Sequence, residues 1–406
     1  MPIKRGLTLQ SSSKKSVIPD YKCLIENESI LSNTKASPSA IKPAGSKVIG
    51  GGRVLPNLLF ATDPDRLRAN VGAAADTAMR LIGEAGQTLL EVADGPDVWE
   101  TVAQSAPGHA GVVLVGGHDV LRLRSTNALP GALRKSLGSP ADADAFVVWN
   151  DDSYGDIDGD HAAEMPVTRI PDGHDRRLLL KALTAAPGRL RRKRFGLRNV
   201  KRPFAADIFS RILGAEAMLA SEPTACGDGS AAGLNARNLY LVLHGDSEDC
   251  SSLCGEAGGA KDFKALSVAC IPALRGGTAF LGACYGALTV NLMALDDPLG
   301  DQAVPLRPGR SIALRLLSKG ALAVVGCTGT HYSPLAPTYD AIAHCHTGAP
   351  IHELFWQHIL AGRAPAAALY QAKIDYLSYL PYCVGDSATA MTLKHWRQFT
   401  CLGLGW

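Results

Sequence analysis

The sequence has 406 residues, of which 46% are hydrophobic and 19% are charged, and its formal net charge is +3. These proportions are typical of a globular protein with a sizeable core, and the length suits one large or two modest domains. The small net charge does not favour a nucleic-acid partner. No apolar run approaches the ~20 residues that a membrane helix needs, so no membrane span is expected.

Residues 1–52 are rich in Ser, Lys, Pro and Gly, which predicts a disordered tail that ends at the glycines of 50–52. The basic start is not followed by an apolar stretch, so we expect no secretory signal. A cytoplasmic location is therefore expected, with the ten cysteines as reduced thiols.

From Leu55 onward, short apolar runs alternate with helical patterns. The predicted elements, in chain order, are strand 55–61, helix 71–84, strands 111–117 and 145–149, helices 175–186 and 204–219, strands 238–245 and 278–286, helix 310–318, strand 320–330 and helix 351–361. This order predicts an α/β fold with a parallel sheet that has helices on both faces. We expect two subdomains, at 53–203 and 204–406, and an exposed linker at 188–203.

Two chemically active residues follow predicted strands. His244 comes directly before Gly245, and Cys284 is followed by Tyr285 and Gly286. Ligands of an open parallel sheet meet the carboxyl ends of its strands, so we expect the histidine and the cysteine at one edge. A packed core histidine and a buried structural thiol are the alternatives for each residue taken alone.

A cysteine beside a histidine suits acyl transfer. The imidazole of His244 raises the thiolate fraction of Cys284 and later protonates a leaving amine. Glycine after the histidine lets a substrate carbonyl approach the backbone. The N–H groups of Gly245 and Cys284 are therefore the candidate oxyanion hole.

At these residues the sequence resembles the gingipain family of cysteine peptidases, in the caspase-like clan. The resemblance rests on LVLHGD at 241–246 and FLGACYG at 280–286, and extends in order to segments 114–119, 150–171 and 311–334. It implies a caspase-like fold, a Cys284–His244 dyad, a protein or peptide substrate and no cofactor. Two features depart from the family: Thr168 replaces a glycine, and the Gly-Asp-Pro ending is missing.

The resemblance also implies a specificity pocket. Asp151, three residues before Tyr154, corresponds to the acidic base of the S1 pocket in the basic-specific members, and Thr330 and Tyr332 correspond to its facing wall. A buried carboxylate there implies cleavage after Arg or Lys. A loop carboxylate that caps a turn is the alternative for Asp151.

Several alternatives stay open at this point. The acidic run Asp156, Asp158 and Asp160 suits either a solvated turn or calcium, and a zinc site at His344, Cys345, His346 and His352 is disfavoured, so no metal is expected. The basic stretch 189–202 is a linker, a contact for an acidic partner or a self-processing site. No third catalytic residue or oligomeric state follows from the sequence. The rival functions are a catalytically silent interaction module and a cysteine amidase or transferase.

Overall fold

A computed structural model describes residues 54–93, 95–137, 142–187, 193–221, 233–257 and 260–406, together with Ile49. The tail predicted for 1–52 lies outside the described residues except for Ile49, which is buried. The self-processing hypothesis falls partly outside them as well, because 188–192 is not described.

The described chain contains fourteen strands. They are β1 Leu59–Thr62, β2 Thr88–Glu91, β3 Val112–Val115, β4 Arg124–Asn127, β5 Val147–Asn150, β6 Val167–Ile170, β7 Arg194–Asn199, β8 Leu219–Ser221, β9 Asn238–Val242, β10 Ser252–Ala257, β11 Ala260–Ser267, β12 Thr278–Leu281, β13 Ala323–Cys327 and β14 Phe399–Gly403.

Ten α-helices lie between these strands within the described ranges. They are α1 Pro64–Val71, α2 Ala74–Glu84, α3 Val98–Ser105, α4 Gly131–Leu137, α5 Arg176–Leu183, α6 Phe204–Ser210, α7 Ile312–Lys319, α8 Ala349–Leu360, α9 Pro365–Leu377 and α10 Asp386–Gln398. No helix in the described part of the chain is long and apolar enough to cross a membrane.

Ten strands form one sheet, in the order β2-β1-β3-β6-β14-β13-β12-β9-β7-β8. The pairs within β2-β1-β3-β6 and within β13-β12-β9-β7-β8 are parallel, and β14 is antiparallel to β13. The two groups meet where β6 lies beside β14, with Leu402 opposite Arg169. Strands β4–β5 and β10–β11 form two separate antiparallel pairs.

Helices cover both faces of this sheet. In β12, the Phe280 ring packs against Phe355 of α8, with ring centroids 5.2 Å apart. Its neighbours Ala279 and Leu281 point the other way, into the core cluster that contains Leu314 of α7. The predicted α/β fold with a large, mostly parallel sheet flanked by helices is confirmed.

Helix α7 shows how local sequence sets an element. The Ser311 hydroxyl accepts a hydrogen bond from the Leu314 N–H at 3.4 Å, which caps the start of the helix. Gly320, at φ 105°, ends it in the left-handed conformation. Apolar side chains on one side of α7 are buried against the sheet. This packing fixes the position of the helix, and with it the end of the long loop that follows Cys284.

Three sequence predictions need correction. The predicted linker at 188–203 is wrong for 194–199, because these residues form β7, in which Arg194 is buried and donates to backbone carbonyls such as that of Phe209 at 2.7 Å. The helix predicted over 204–219 ends at Ser210, and Leu219 starts β8. Cys270 is disulfide-bonded, so it is not a reduced thiol. The subdomain boundary at 203/204 stays a prediction, although β7 pairs with β9 of the second group.

Candidate active site

His244 and Cys284 follow neighbouring parallel strands. Leu241 of β9 lies opposite Leu281 of β12, and each of the two site residues comes three positions after its member of that pair. The Gly282 N–H donates to the Leu241 carbonyl at 2.7 Å, which extends the pairing toward the site. This register brings the imidazole and the thiol to one edge of the sheet.

Gly245 lies directly against the backbone of Cys284. A Cβ added at Gly245 would lie 1.9 Å from the Cys284 carbonyl oxygen and 3.5 Å from its nitrogen, so only glycine fits this position. Among the residues that the structure describes, neither the Gly245 N–H nor the Cys284 N–H donates to another residue, and the Cys284 N–H contacts only its own Sγ. Two neighbouring N–H groups are thus available to an oxygen of another molecule.

The Cys284 thiol is held by the loop that follows β13. The His331 N–H donates to Cys284 Sγ at 3.3 Å, and the His331 carbonyl lies 3.6 Å from the same sulfur. Burial raises the pKa of the Cys284 thiol, and the His331 N–H offsets part of this rise. The thiol is therefore protonated at neutral pH in this state, and within the described ranges it makes no hydrogen bond to His244.

A third residue orients the histidine, and sequence reasoning did not find it. His244 Nε2 lies 3.1 Å from Oε1 of Glu256, on β10. The backbone of His244 is also bridged to Cys254 of the same strand by two 2.8 Å hydrogen bonds. With Nε2 donating to the carboxylate, Nδ1 is the ring nitrogen available to accept a proton. Lys201 Nζ, 2.6 Å from Glu256, lowers the pKa of that carboxyl together with His244.

A buried ionic cluster lies behind the site. Lys394 Nζ donates to Asp144 Oδ2 at 2.6 Å and also to Asp142, and the Lys394 side chain is fully buried. The cluster therefore holds two carboxylates for one ammonium group. Burial alone would raise the pKa of Asp144, but the Lys394 ammonium and the hydrogen bonds from Tyr285 and Thr330 outweigh burial and lower it.

This cluster, Asp142–Asp144–Lys394, is joined to the residues around the thiol. The Tyr285 hydroxyl donates to Asp144 at 2.6 Å, and the Thr330 N–H donates to the same carboxylate at 2.6 Å. Tyr285 follows Cys284 with a positive φ of 54°, an uncommon conformation for a tyrosine. The contact with Asp144 thus helps to hold the turn that carries the thiol.

The structure brings Thr330 and Tyr332, two of the three predicted pocket residues, to this loop beside Cys284. The Tyr332 hydroxyl donates to Asp142 at 3.0 Å, and its ring lies 5.3 Å from Lys394 Nζ. Both residues are partly exposed.

Asp151, the predicted base of the S1 pocket, has a different role in the structure. Both of its oxygens accept from Arg169, at 3.0 and 2.6 Å, and the two side chains are 3% and 0% exposed. The Arg169 guanidinium also donates to the carbonyls of Gly116, Gly117 and Leu121. The carboxylate is therefore the counter-ion of a buried arginine, and an internal ion pair replaces the predicted pocket role.

Three buried histidines, His331, His352 and His395, lie behind the Cys284 loop. His331 Nε2 lies 2.9 Å from His352 Nε2, and His352 Nδ1 lies 2.8 Å from the Tyr240 hydroxyl. Burial lowers the pKa of His331 to about 3 and that of His352 well below its usual range. Because these contacts occupy His352, it does not join His344 and Cys345 in the disfavoured zinc site.

The acidic run Asp156, Asp158 and Asp160 forms a turn, which was one of its two interpretations beside a calcium site. Asp156 accepts from the N–H groups of Gly159 and His161, and the carboxylate oxygens of the group Asp156, Asp158, Asp160 and Glu164 lie within 4.8 Å of one another. Burial raises the pKa of Glu164 to about 7. This is the one group of potential metal ligands within the described residues, and calcium binding there stays untested.

Solved structures share this fold. Crystalline gingipain R, an Arg-specific cysteine proteinase, matches with a TM-score of 0.53 at 12% identity, over 88% of this chain and 78% of that one. A complex of the pro- and mature domains of RgpB from Porphyromonas gingivalis matches with a TM-score of 0.53 at 10% identity, over 86% and 78%. No protein-family model and no curated protein matches the sequence. The likeness shows the caspase-like fold of the gingipains.

Proposed function

We propose that this chain is a cysteine peptidase that hydrolyses peptide bonds through Cys284 and His244. One observation supports the proposal above all. The register of β9 and β12 brings a thiol and a carboxylate-oriented imidazole to one sheet edge, with Gly245 packed on the Cys284 backbone. The caspase-like fold supports the same function, because the structures that share it are cysteine proteinases.

In the proposed reaction, His244 Nδ1 takes the proton of the Cys284 thiol. The thiolate attacks the substrate carbonyl carbon, and the carbonyl oxygen becomes an oxyanion that the N–H groups of Gly245 and Cys284 stabilise. His244 then donates its proton to the leaving amine as the C–N bond breaks. Water, deprotonated by His244, hydrolyses the thioester and releases the acid.

The thiol must leave its contact with His331 for this chemistry. Catalytic hydrogen bonds are often long or absent before substrate binds, so the lack of a Cys284–His244 bond is compatible with the proposal. A rotation of the Cys284 side chain exchanges the His331 N–H for the imidazole. Glu256 holds the ring in place and stabilises the imidazolium that forms.

The proposed substrate has Arg or Lys before the cleaved bond. Asp151 no longer supports this preference, since Arg169 neutralises it. The support now comes from the Asp142–Asp144–Lys394 cluster, whose net charge is negative and which contacts the partly exposed Thr330 and Tyr332 beside the thiol. A positive side chain is the one that this charge favours.

A positional peptide library, incubated with the wild type, Cys284→Ala and Cys383→Ala, tests the proposal. We expect cleavage after Arg or Lys by the wild type and by Cys383→Ala, which changes a thiol that is outside the site. We expect a loss of at least ~10⁴-fold in Cys284→Ala, as for other catalytic nucleophiles.

A thiol-reactive peptide probe separates the rival functions. Labelling of Cys284 without cleavage of any peptide would replace the peptidase with an amidase or transferase. Neither labelling nor cleavage would leave a silent interaction module. Cleavage that ignores the residue before the bond would overturn only the Arg or Lys preference.

A further inference from the structure

A second candidate site lies between the loops that precede α5 and α7. It is a cavity of about 660 Å³. Its lining comes from the end of α1, residues 173–176, residues 307–310 and Arg315. The two loops are in contact, because a Cβ added at Gly173 would lie 3.1 Å from the Leu306 carbonyl oxygen and 3.5 Å from Pro308.

The charge of this cavity is strongly positive. Four of its lining residues are arginines: Arg176, Arg307, Arg310 and Arg315. Over the residues for which the structure gives side chains, none of the four forms an ion pair with a carboxylate, and only Arg315 donates to a carbonyl, that of Val268 at 3.1 Å. Other surface arginines of this chain do pair, for example Arg80 with Glu84.

The two remaining titratable groups of the cavity are already occupied. Asp175 caps α5, since its carboxylate accepts from the N–H groups of Arg177 and Leu178 at 2.7 and 3.3 Å. His174 Nε2 lies 2.7 Å from Asp119. Asp175 is the one carboxylate among the lining residues, and it forms no ion pair with the four arginines, so the lining carries an excess of three positive charges when His174 is neutral.

We propose that this four-arginine cavity binds a small, multiply charged phosphate anion. Guanidinium groups bind phosphate oxygens bidentately. Four arginines without counter-ions offer more N–H donors than a ligand with a single carboxylate can accept, which favours a ligand with several anionic oxygens. The volume falls in the range of small-molecule sites, about 300–1,000 Å³. This function is additional to the proposed peptidase activity and does not depend on it.

The site also has a structural consequence. Arg307 and Arg310 belong to the segment that connects Cys284 with α7, whereas Arg176 is the first residue of α5. A bound phosphate ion bridges these segments, so it is expected to stabilise the native state by an amount that grows with ligand concentration.

Isothermal titration of the full chain with inorganic tripolyphosphate tests this proposal. The test variant is Arg307→Gln/Arg310→Gln, and the matched control is Arg134→Gln/Lys135→Gln, which removes the same charge from exposed positions of α4. We expect binding at least ~10-fold weaker in the test variant and unchanged in the control. A third variant, Arg307→Lys/Arg310→Lys, keeps the charge but loses the bidentate geometry, so intermediate affinity is expected.

Three results would overturn the proposal. One is wild-type binding no tighter than that of Arg307→Gln/Arg310→Gln. Another is equal weakening in the α4 control, which indicates general surface attraction. The third is arginine-dependent binding of a poly-glutamate peptide without binding of tripolyphosphate, which assigns the cavity to acidic protein segments. Unfolding midpoints without ligand establish that each variant is folded, and the lysine variant still decides the outcome if the glutamine variant is not.

Discussion

Two buried ionic clusters of this protein differ in their charge balance. In the first, Asp151 and Arg169 pair one to one, and three backbone carbonyls use the other donors of the guanidinium. In the second, Lys394 serves both Asp142 and Asp144, and the remaining carboxylate capacity is used by side chains and N–H groups around Cys284.

The difference separates a structural ion pair from one coupled to the site. The charges of Asp151 and Arg169 balance, and backbone carbonyls use the remaining donors, so this pair has no group left to contact a substrate. We therefore expect the Asp151–Arg169 pair to contribute to stability alone. The Asp142–Asp144–Lys394 cluster reaches the thiol through Tyr285 and Thr330, so changes in it are expected to alter both stability and activity. The predictions below test this distinction.

Lys394→Met is expected to have the largest effect. It leaves two carboxylates buried side by side, and loss of one partner of a buried ion pair costs about 3–5 kcal/mol. Urea unfolding at neutral pH measures the loss, and peptidase activity is expected to fall with it, because Asp144 no longer holds Tyr285 and Thr330 as before.

The pH dependence of stability gives this prediction a sign. In the wild type the pKa of Asp144 is lowered, so its contribution to stability is present above the unfolded pKa of ~3.9 and is lost as pH falls through the folded pKa. In Lys394→Met the carboxyl pKa is expected to rise instead, so acid relieves the repulsion. The difference in the free energy of unfolding between the wild type and Lys394→Met should therefore shrink as the pH is lowered from ~7 to ~4.5. A constant difference would contradict the charge explanation.

Arg169→Met is expected to be second in size. It leaves Asp151 buried without its counter-ion and three carbonyls without their donor, at a cost of about 3 kcal/mol. Where the variant is folded, we expect its preference for the residue before the cleaved bond to be unchanged. A changed preference in the peptide library would return Asp151 to the specificity pocket.

The sequence predicts the site edge better than the pocket. Apolar runs that end beside His244 and Cys284 are local signals, and the parallel register of β9 and β12 places both residues at the same edge of the sheet. The alternation of these runs with helices also predicts the sheet, although β14, an antiparallel strand at the chain end, carries no such signal.

Long-range partners explain what the sequence does not show. Asp151 meets Arg169 across 18 residues, whereas Asp144 meets Lys394 across 250, and no spacing rule links either pair. Glu256 orients His244 because the β10–β11 hairpin folds back on the end of β9. The sequence of this hairpin is rich in glycine and charged residues and does not predict a strand pair. Charged residues in a sequence show which groups need partners, but the partners follow from the fold.

Two tyrosines, one in each cluster, give the finest test of the comparison. The Tyr154 hydroxyl donates to the Arg122 carbonyl at 2.9 Å, and the Arg169 guanidinium lies 6.0 Å from its ring. Tyr285 instead donates to Asp144, next to the thiol. Tyr154→Phe removes the hydrogen bond to the Arg122 carbonyl and a second one with the Arg169 guanidinium. Tyr285→Phe removes the hydrogen bond to Asp144 and the contacts of the same hydroxyl with Thr330 Oγ1 and Met293 Sδ. Each change is expected to lower the free energy of unfolding by about 1–2 kcal/mol.

Activity should separate these two variants. Tyr285→Phe loosens the turn at Cys284, and a loss of about 1 kcal/mol at the transition state corresponds to a roughly five-fold lower kcat/KM. Tyr154→Phe, as the matched control, is expected to keep the wild-type kcat/KM because its cluster does not contact the thiol. Equal activity losses in both variants, measured on one Arg-containing peptide at matched folded fractions, would show that the clusters do not differ in their coupling to the site. Since both substitutions keep the ring and remove only an oxygen, packing contributes little to either result.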